Sequence, residues 1–274
     1  MTHRQRVINV LSKRPVDKPA IQCLYNKVGF YEHGEALNDL FEQYPGDFCP
    51  FHRQPIPVVP PSAFDANGQY YEQITDEWGT TWEYRVYGIM GHAINFPIKT
   101  PADAAAYTLP PAPSFIANVE AYKRDLVEYK KDYFAFGYSG RFLECLWAIR
   151  GFEDLMMDLA DPSPEILGLM DRLAARNRAM VEAHVSAGAE GIDIGDDFGT
   201  QTGLVMSKDT FRNIIKPRLA HILEPARRAG LHIHLHTCGQ VSELFGDFKD
   251  LGIKSIWPQL PLFDMRELKR EMDY

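Results

Sequence analysis

Apolar and polar positions change rhythm along the chain. From about residue 130 onward, short apolar runs alternate with longer stretches whose apolar residues recur every three to four positions. The runs "YFAFGYS", "GIDIGDD", "LHIHLHTCG" and "KSIWPQ" read as strands. Helical patterns lie between them. One covers residues 141–160. The next, "DPSPEILGLMDRLAARNRAMVEAHVSAG", opens with Ser163 as N-cap and Pro164 at the first helical position, and closes near Gly188. "MSKDTFRNIIKPRLAHILEPARRAG" predicts a long helix capped by Ser207, stopped at Gly230 and kinked at Pro217 and Pro225. "QVSELFGDFKDLG" predicts a further helix, and "FDMRELKREM" another, with Asp264 and Glu267 placed as a capping box. In the first half, "PAIQCLY" and "DFCPF" read as short strands and residues 35–44 as a helix. Pro55, Pro57, Pro60 and Pro61 impose an extended loop, and "YYEQITDEWGTTWEYRVYG" predicts a β-hairpin turning at Gly79.

Strands alternating with helices of this length indicate parallel β/α units. A (β/α)8 TIM-barrel type, carrying the hairpin as an insertion, fits best. An open doubly wound sheet is the alternative, weakened by the lack of a G-x-G-x-x-G or P-loop motif. Strands are expected near 19–23, 46–51, 133–138, 191–195, 231–236 and 253–256, about six β/α units where a closed barrel has eight. The expectation is therefore one domain over residues 1–274, a barrel truncated at its C-terminal part.

Composition narrows the function classes. The chain has 274 residues, 45% of them hydrophobic, enough for a large core. Its net charge is −8 with no long Lys/Arg cluster, which argues against nucleic acid as a partner. Apolar runs are too short for a membrane span, and the N-terminus lacks a signal-peptide core, so the expected location is cytoplasmic. The four cysteines, Cys23, Cys49, Cys145 and Cys238, form no C-x-x-C pair and read as free thiols.

Candidate chemistry gathers at one end of consecutive strands, where a barrel of this type keeps its active site. "GIDIG" ends in Asp196, Asp197 and the loop "FGTQTG". "LHIHLH" ends in His236, Cys238 and Gln240, and "KSI" ends in Trp257 and Gln259. With period two, Leu231, Ile233 and Leu235 face the helices, while His232, His234, His236 and Cys238 face the interior. Imidazole and thiolate at i, i+2 suit a borderline metal such as zinc, which would also lower the thiol pKa. The other reading is a polar interior of hydrogen-bonded histidines with an incidental thiol. His236 and Cys238 are the candidate metal ligands. Asp196, Asp197 and Glu144 are the candidate catalytic residues, and at least one of the two aspartates is expected to face the cavity of His236. Gln201, Gln240, Gln259 and Tyr138 are candidate substrate-binding residues.

The segments "GDDFGTQTGLVMSKDTFRNIIKPRLAHI", "HTCG", "IWPQ" with "DMRELKRE", and "FLECLWAIRGFEDLMMDLADPSPEI" resemble the uroporphyrinogen decarboxylase superfamily, closest to its corrinoid-dependent, coenzyme M-type methyltransferase branch. The resemblance implies a (β/α)8 barrel and a zinc-binding His-x-Cys at His236 and Cys238, with a third ligand from a late cysteine that this sequence does not contain. It implies methyl transfer between a corrinoid on a partner protein and a small thiol, methoxy or amine compound. The arginine-rich motif of the decarboxylases is "CLYNKVGFYEHG" here, without arginine, which disfavours decarboxylation in tetrapyrrole synthesis. The alternatives are that carboxy-lyase activity or a non-catalytic accessory barrel.

Overall fold

A buried aspartate and scattered prolines decide the conformation of the amino-terminal segments. The computed structural model describes residues 1–272. It divides into two units, Met1–Pro97 with Lys130–Phe134, and Ile98–Tyr129 with residues from Ala135 onward. The first contains helices α1 (His3–Leu11), α2 (Lys27–His33) and α3 (Glu35–Gln43). The stretches near 19–23 and 46–51, expected as strands, join no sheet. Asp47, fully buried, replaces the ladder: its N–H donates to the Ile21 carbonyl at 2.7 Å and its carboxylate accepts the Ile21 N–H at 2.9 Å. The Arg6 guanidinium and the His3 imidazole hold the same carboxylate. Pro19 and Pro50 remove donors that a ladder would need.

The expected hairpin is present and gains a third strand: β1 (Glu72–Thr75), β2 (Thr81–Tyr84) and β3 (His92–Asn95) form an antiparallel meander. Gly79 takes φ +80° at the first turn, where a side chain would be strained. Asp76 fixes that turn, accepting from the Trp78 and Thr80 N–H groups and from Trp82 Nε1.

The second unit opens with α4 (Pro101–Ala106), α5 (Ser114–Ala117) and α6 (Val119–Tyr129). Then follow β4 (Phe136–Tyr138), α7 (Leu143–Arg150), α8 (Phe152–Ala160), α9 (Pro164–Ala187), β5 (Gly191–Gly195), α10 (Lys208–Thr210), α11 (Lys216–Arg228), β6 (His232–Thr237), α12 (Phe245–Asp250), β7 (Ser255–Pro258) and α13 (Met265–Glu271). The strands form one parallel sheet in the order β4-β5-β6-β7. Among the described residues this sheet therefore has four strands where six were expected, because the two amino-terminal segments contribute none.

The three predicted N-cap residues each accept a backbone N–H of their helix. Ser163 accepts the Ile166 N–H, Ser207 the Thr210 N–H, and Asp264 the N–H groups of Arg266 and Glu267. Ahead of Pro217 the helix widens into a π-turn over Phe211–Ile215. Pro225 cannot donate to the His221 carbonyl, and Arg178 Nη1 donates there instead at 2.8 Å. Ile192, Ile194, Ile233 and Leu235 are buried on the helix-facing side of the sheet. On the outer edge of β4, the Tyr138 N–H donates to His184 Nε2 at 3.1 Å, while His184 Nδ1 bonds the Tyr122 hydroxyl at 2.8 Å. Gly137 makes room for that imidazole, since a Cβ there would fall 2.3 Å from the ring. No helix is long and apolar enough to cross a membrane among the described residues.

Candidate metal centre at the strand ends

Two glycines bring the loops after β5 and β6 together. A Cβ on Gly239, at φ +82°, would fall 2.0 Å from the Gly199 carbonyl carbon, so the backbones touch where only glycine fits. The Gln240 N–H then donates to the Thr200 carbonyl at 2.7 Å, and the Phe198 N–H to Thr237 Oγ1 at 3.3 Å. Their junction presents Asp197, His236 and Cys238, each half-buried, with one ligand atom from each lying within 4.8 Å of the others.

Each group is oriented by a neighbour. His236 Nδ1 lies 3.0 Å from the Trp257 carbonyl, which can only accept, so Nδ1 carries the proton and Nε2 presents its lone pair. That Nε2 is 3.8 Å from Cys238 Sγ. The Cys238 N–H donates to Asp197 Oδ1 at 2.7 Å. Burial, then the adjacent Asp197 carboxylate, pushes the Cys238 thiol up, and a bound cation would favour the thiolate. Nitrogen, sulfur and oxygen donors with the imidazole fixed through its other nitrogen are the donor set and support that zinc takes. The residues fit that metal.

The remaining candidates divide. Asp196 is fully buried and points away from the triad. Its Oδ2 accepts the N–H groups of Phe142 and Leu143, and its Oδ1 that of Glu144, all at 2.9 Å, closing the N-terminus of α7. Burial pushes its carboxyl up to about 7, against those same N–H groups. The Glu144 side chain, also buried, pairs with Arg141. Gln259 Oε1 accepts from the Gly239 N–H at 3.1 Å and from Gln201 Nε2 at 3.3 Å, so these two glutamines lie against the loop that carries Cys238. Gln240 turns the other way, to the Leu262 carbonyl and the Ser242 N–H. Tyr138 lies on β4 in register with Asp193.

Three groups were not anticipated. Arg141 sits close enough to oppose the upward shifts of Asp196 and Cys238. Ser255 Oγ lies 2.6 Å from both His232 Nε2 and His234 Nδ1, which satisfies the two deeper imidazoles. Burial and the neighbouring imidazole push each of these histidines down to about 4, so both are neutral. Asp193 on the same face has its carboxyl pushed up by burial.

A parallel α/β sheet with a metal-capable triad beyond its C-terminal strand ends defines an enzyme-type site of the barrel class. Residues 98–264 match the uroporphyrinogen decarboxylase (URO-D) family, and the chain belongs to it. The family's fold is the TIM barrel. Among solved structures, a methyltransferase from Methanosarcina mazei is similar, with a TM-score of 0.64 and 17% identity over 99% of this chain and 80% of that one. At that identity the likeness speaks for the fold. No curated protein matches the chain.

Proposed function

We propose that the chain is a zinc-dependent methyltransferase acting between a corrinoid on a separate protein and a small thiol, methoxy or amine compound. The observation that carries the reading is the convergence of Asp197, His236 and Cys238 at the barrel-type site. The family and a similar fold in a protein described as a methyltransferase support it. Asp197 offers a third donor beside the His-x-Cys pair.

When bound, zinc would keep a thiol nucleophilic at neutral pH or polarise a methoxy or amine compound. The chain's own groups prepare that chemistry. The Trp257 carbonyl fixes the His236 tautomer, the Cys238 N–H orients Asp197, and Gln259 holds the Gly239 N–H so that the loop keeps its shape. Asp196 anchors the start of α7 directly behind Asp197. The acidic chain is a poor partner for nucleic acid, and its four free thiols suit a reducing cytoplasm.

Metal analysis and demethylation of methylcob(III)alamin by a thiol, followed by its absorbance, test the reading. The dialysed chain should hold about one zinc, as a single site of this kind does, and demethylate the corrinoid. Cys238→Ser should lose both properties while keeping the far-ultraviolet spectrum. A Cys238→Ser protein that binds zinc and turns over as well as the parent refutes the assignment.

A further inference from the structure

The inner face of β5 carries a carboxylate that the metal centre does not use. Asp193 lies between Gly191 and Gly195 on this strand, and its register partner on β6 is His234. Its Oδ1 is sealed from solvent without a hydrogen-bond partner, while the residue as a whole is only half-buried. Nearby groups are otherwise engaged. Ser255 occupies a nitrogen of His232 and of His234, Arg141 is paired with Glu144, and Lys254 Nζ bonds the carbonyls of Gly230 and Leu231. Among the described residues no ion pair reaches Asp193. A desolvated carboxylate oxygen without a donor is unfavourable, and a ligand that brings an N–H or O–H removes the penalty.

Gly195 supplies the room. It is the register partner of His236, and a Cβ built on it meets nothing within 4 Å. Open space therefore lies on the inner face between Asp193 and the Asp197, His236 and Cys238 triad. At ~3.3 Å per residue, Asp193 is about 7 Å down the strand from the level of His236. Asp193, outside the metal ligands, lines this gap, while the Arg141 charge is offset by Glu144. The local field favours a cation.

We propose that the small molecule bound here is an aminothiol, with its sulfur at Asp197, His236 and Cys238 and its ammonium group, two or three carbons away, donating to Asp193. The proposal rests on the metal-site reading above and names its substrate class.

Isothermal titration of the zinc-loaded full chain with three matched thiols tests it: 2-aminoethanethiol, 2-mercaptoethanol and 2-mercaptoethanesulfonate. The aminothiol should bind about tenfold tighter than the alcohol, the worth of one charge-assisted hydrogen bond, and the sulfonate weakest. Asp193→Asn should abolish the ammonium preference and leave 2-mercaptoethanol binding nearly unchanged, and Asp193→Glu should keep part of the preference. Equal affinities for the three thiols overturn the proposal. So does a preference for the sulfonate, with Arg141 as its anchor, or an ammonium preference that survives in Asp193→Asn. If no thiol binds in a manner that Cys238→Ser abolishes, the metal-site reading itself fails and the aminothiol assignment falls with it.

Discussion

Replacing Asp196 should destabilise the fold rather than remove a reacting group. Its carboxylate receives three backbone N–H groups at 2.9 Å, from Phe142, Leu143 and Glu144, at a position sealed from water. Asp196→Ala strands all three donors at the start of α7. A buried donor left unmade costs about 1–3 kcal/mol, and partial access of water to the new cavity trims the sum, so the expected loss is roughly 3–5 kcal/mol. That is a large share of the 5–15 kcal/mol typical of a domain. Asp196→Asn keeps one acceptor oxygen but turns an amide N–H₂ toward a backbone donor, and should lose less, about 1–3 kcal/mol.

The two forms of residue 196 also separate with pH. Burial raises the Asp196 carboxyl from 3.8 in the unfolded chain to about 7 in the fold. Between those values the folded protein holds the extra proton, so this contribution is fully present below about pH 4 and is lost as pH rises through 7. Asparagine does not titrate. The stability difference between the parent and Asp196→Asn should therefore be larger at pH 5 than at pH 8. Urea unfolding at the two pH values, with zinc content measured in parallel, gives both quantities. A difference that instead grows with pH would show that the three N–H groups outweigh burial and hold the carboxylate ionised. Unaltered stability with methyl transfer abolished would refute the capping role and return Asp196 to the chemistry.

Gly239→Ala should lose zinc and fold stability together, by more than about 3 kcal/mol, because its Cβ would collide with the Gly199 backbone at a positive φ; calorimetry and metal analysis read both, and wild-type values would refute the close approach. His232 and His234 titrate near 4 in the fold and near 6.5 when unfolded, so the unfolded chain binds the extra protons and stability falls as pH drops from about 6.5 toward 4, by roughly 3 kcal/mol per histidine. Urea unfolding of the parent and His234→Gln at pH 6.5 and 4.5 checks this, and an identical pH slope in the two proteins would exclude His234 as a source.

Helix ends and the chemistry-bearing strand were legible because local rules govern them. Ser163, Ser207 and Asp264 cap their helices through bonds to N–H groups a few residues away. The hairpin at Gly79 is equally local. The amino-terminal segments were not legible, because an apolar run such as "AIQCLY" does not specify a pairing partner. Asp47, with its carboxylate and its N–H on Ile21, supplies from 26 residues away what a strand neighbour would have given. The π-turn before Pro217 also depends on how Phe211 and Ile215 pack in the core.

The pair Asp196 and Asp197 shows how far strand alternation reaches past a strand's end. Ile192 and Ile194 face the helices, and Asp196 shares their parity; it is buried against α7. Asp193, Gly195 and Asp197 share the opposite parity, and Asp197 meets His236. On β6, Ile233, Leu235 and Thr237 are buried on the helix side while His232, His234, His236 and Cys238 line the other. The same period-two reading that separated the histidines from the leucines therefore separates a helix-capping aspartate from a metal-capable one. It also places Asp193 on the chemical face. Asp193 belongs neither to a helix cap nor to the triad, and beside it on the same face a Cβ on Gly195 would meet nothing within 4 Å. Asp193 is thus placed to select what binds beside the triad without belonging to it.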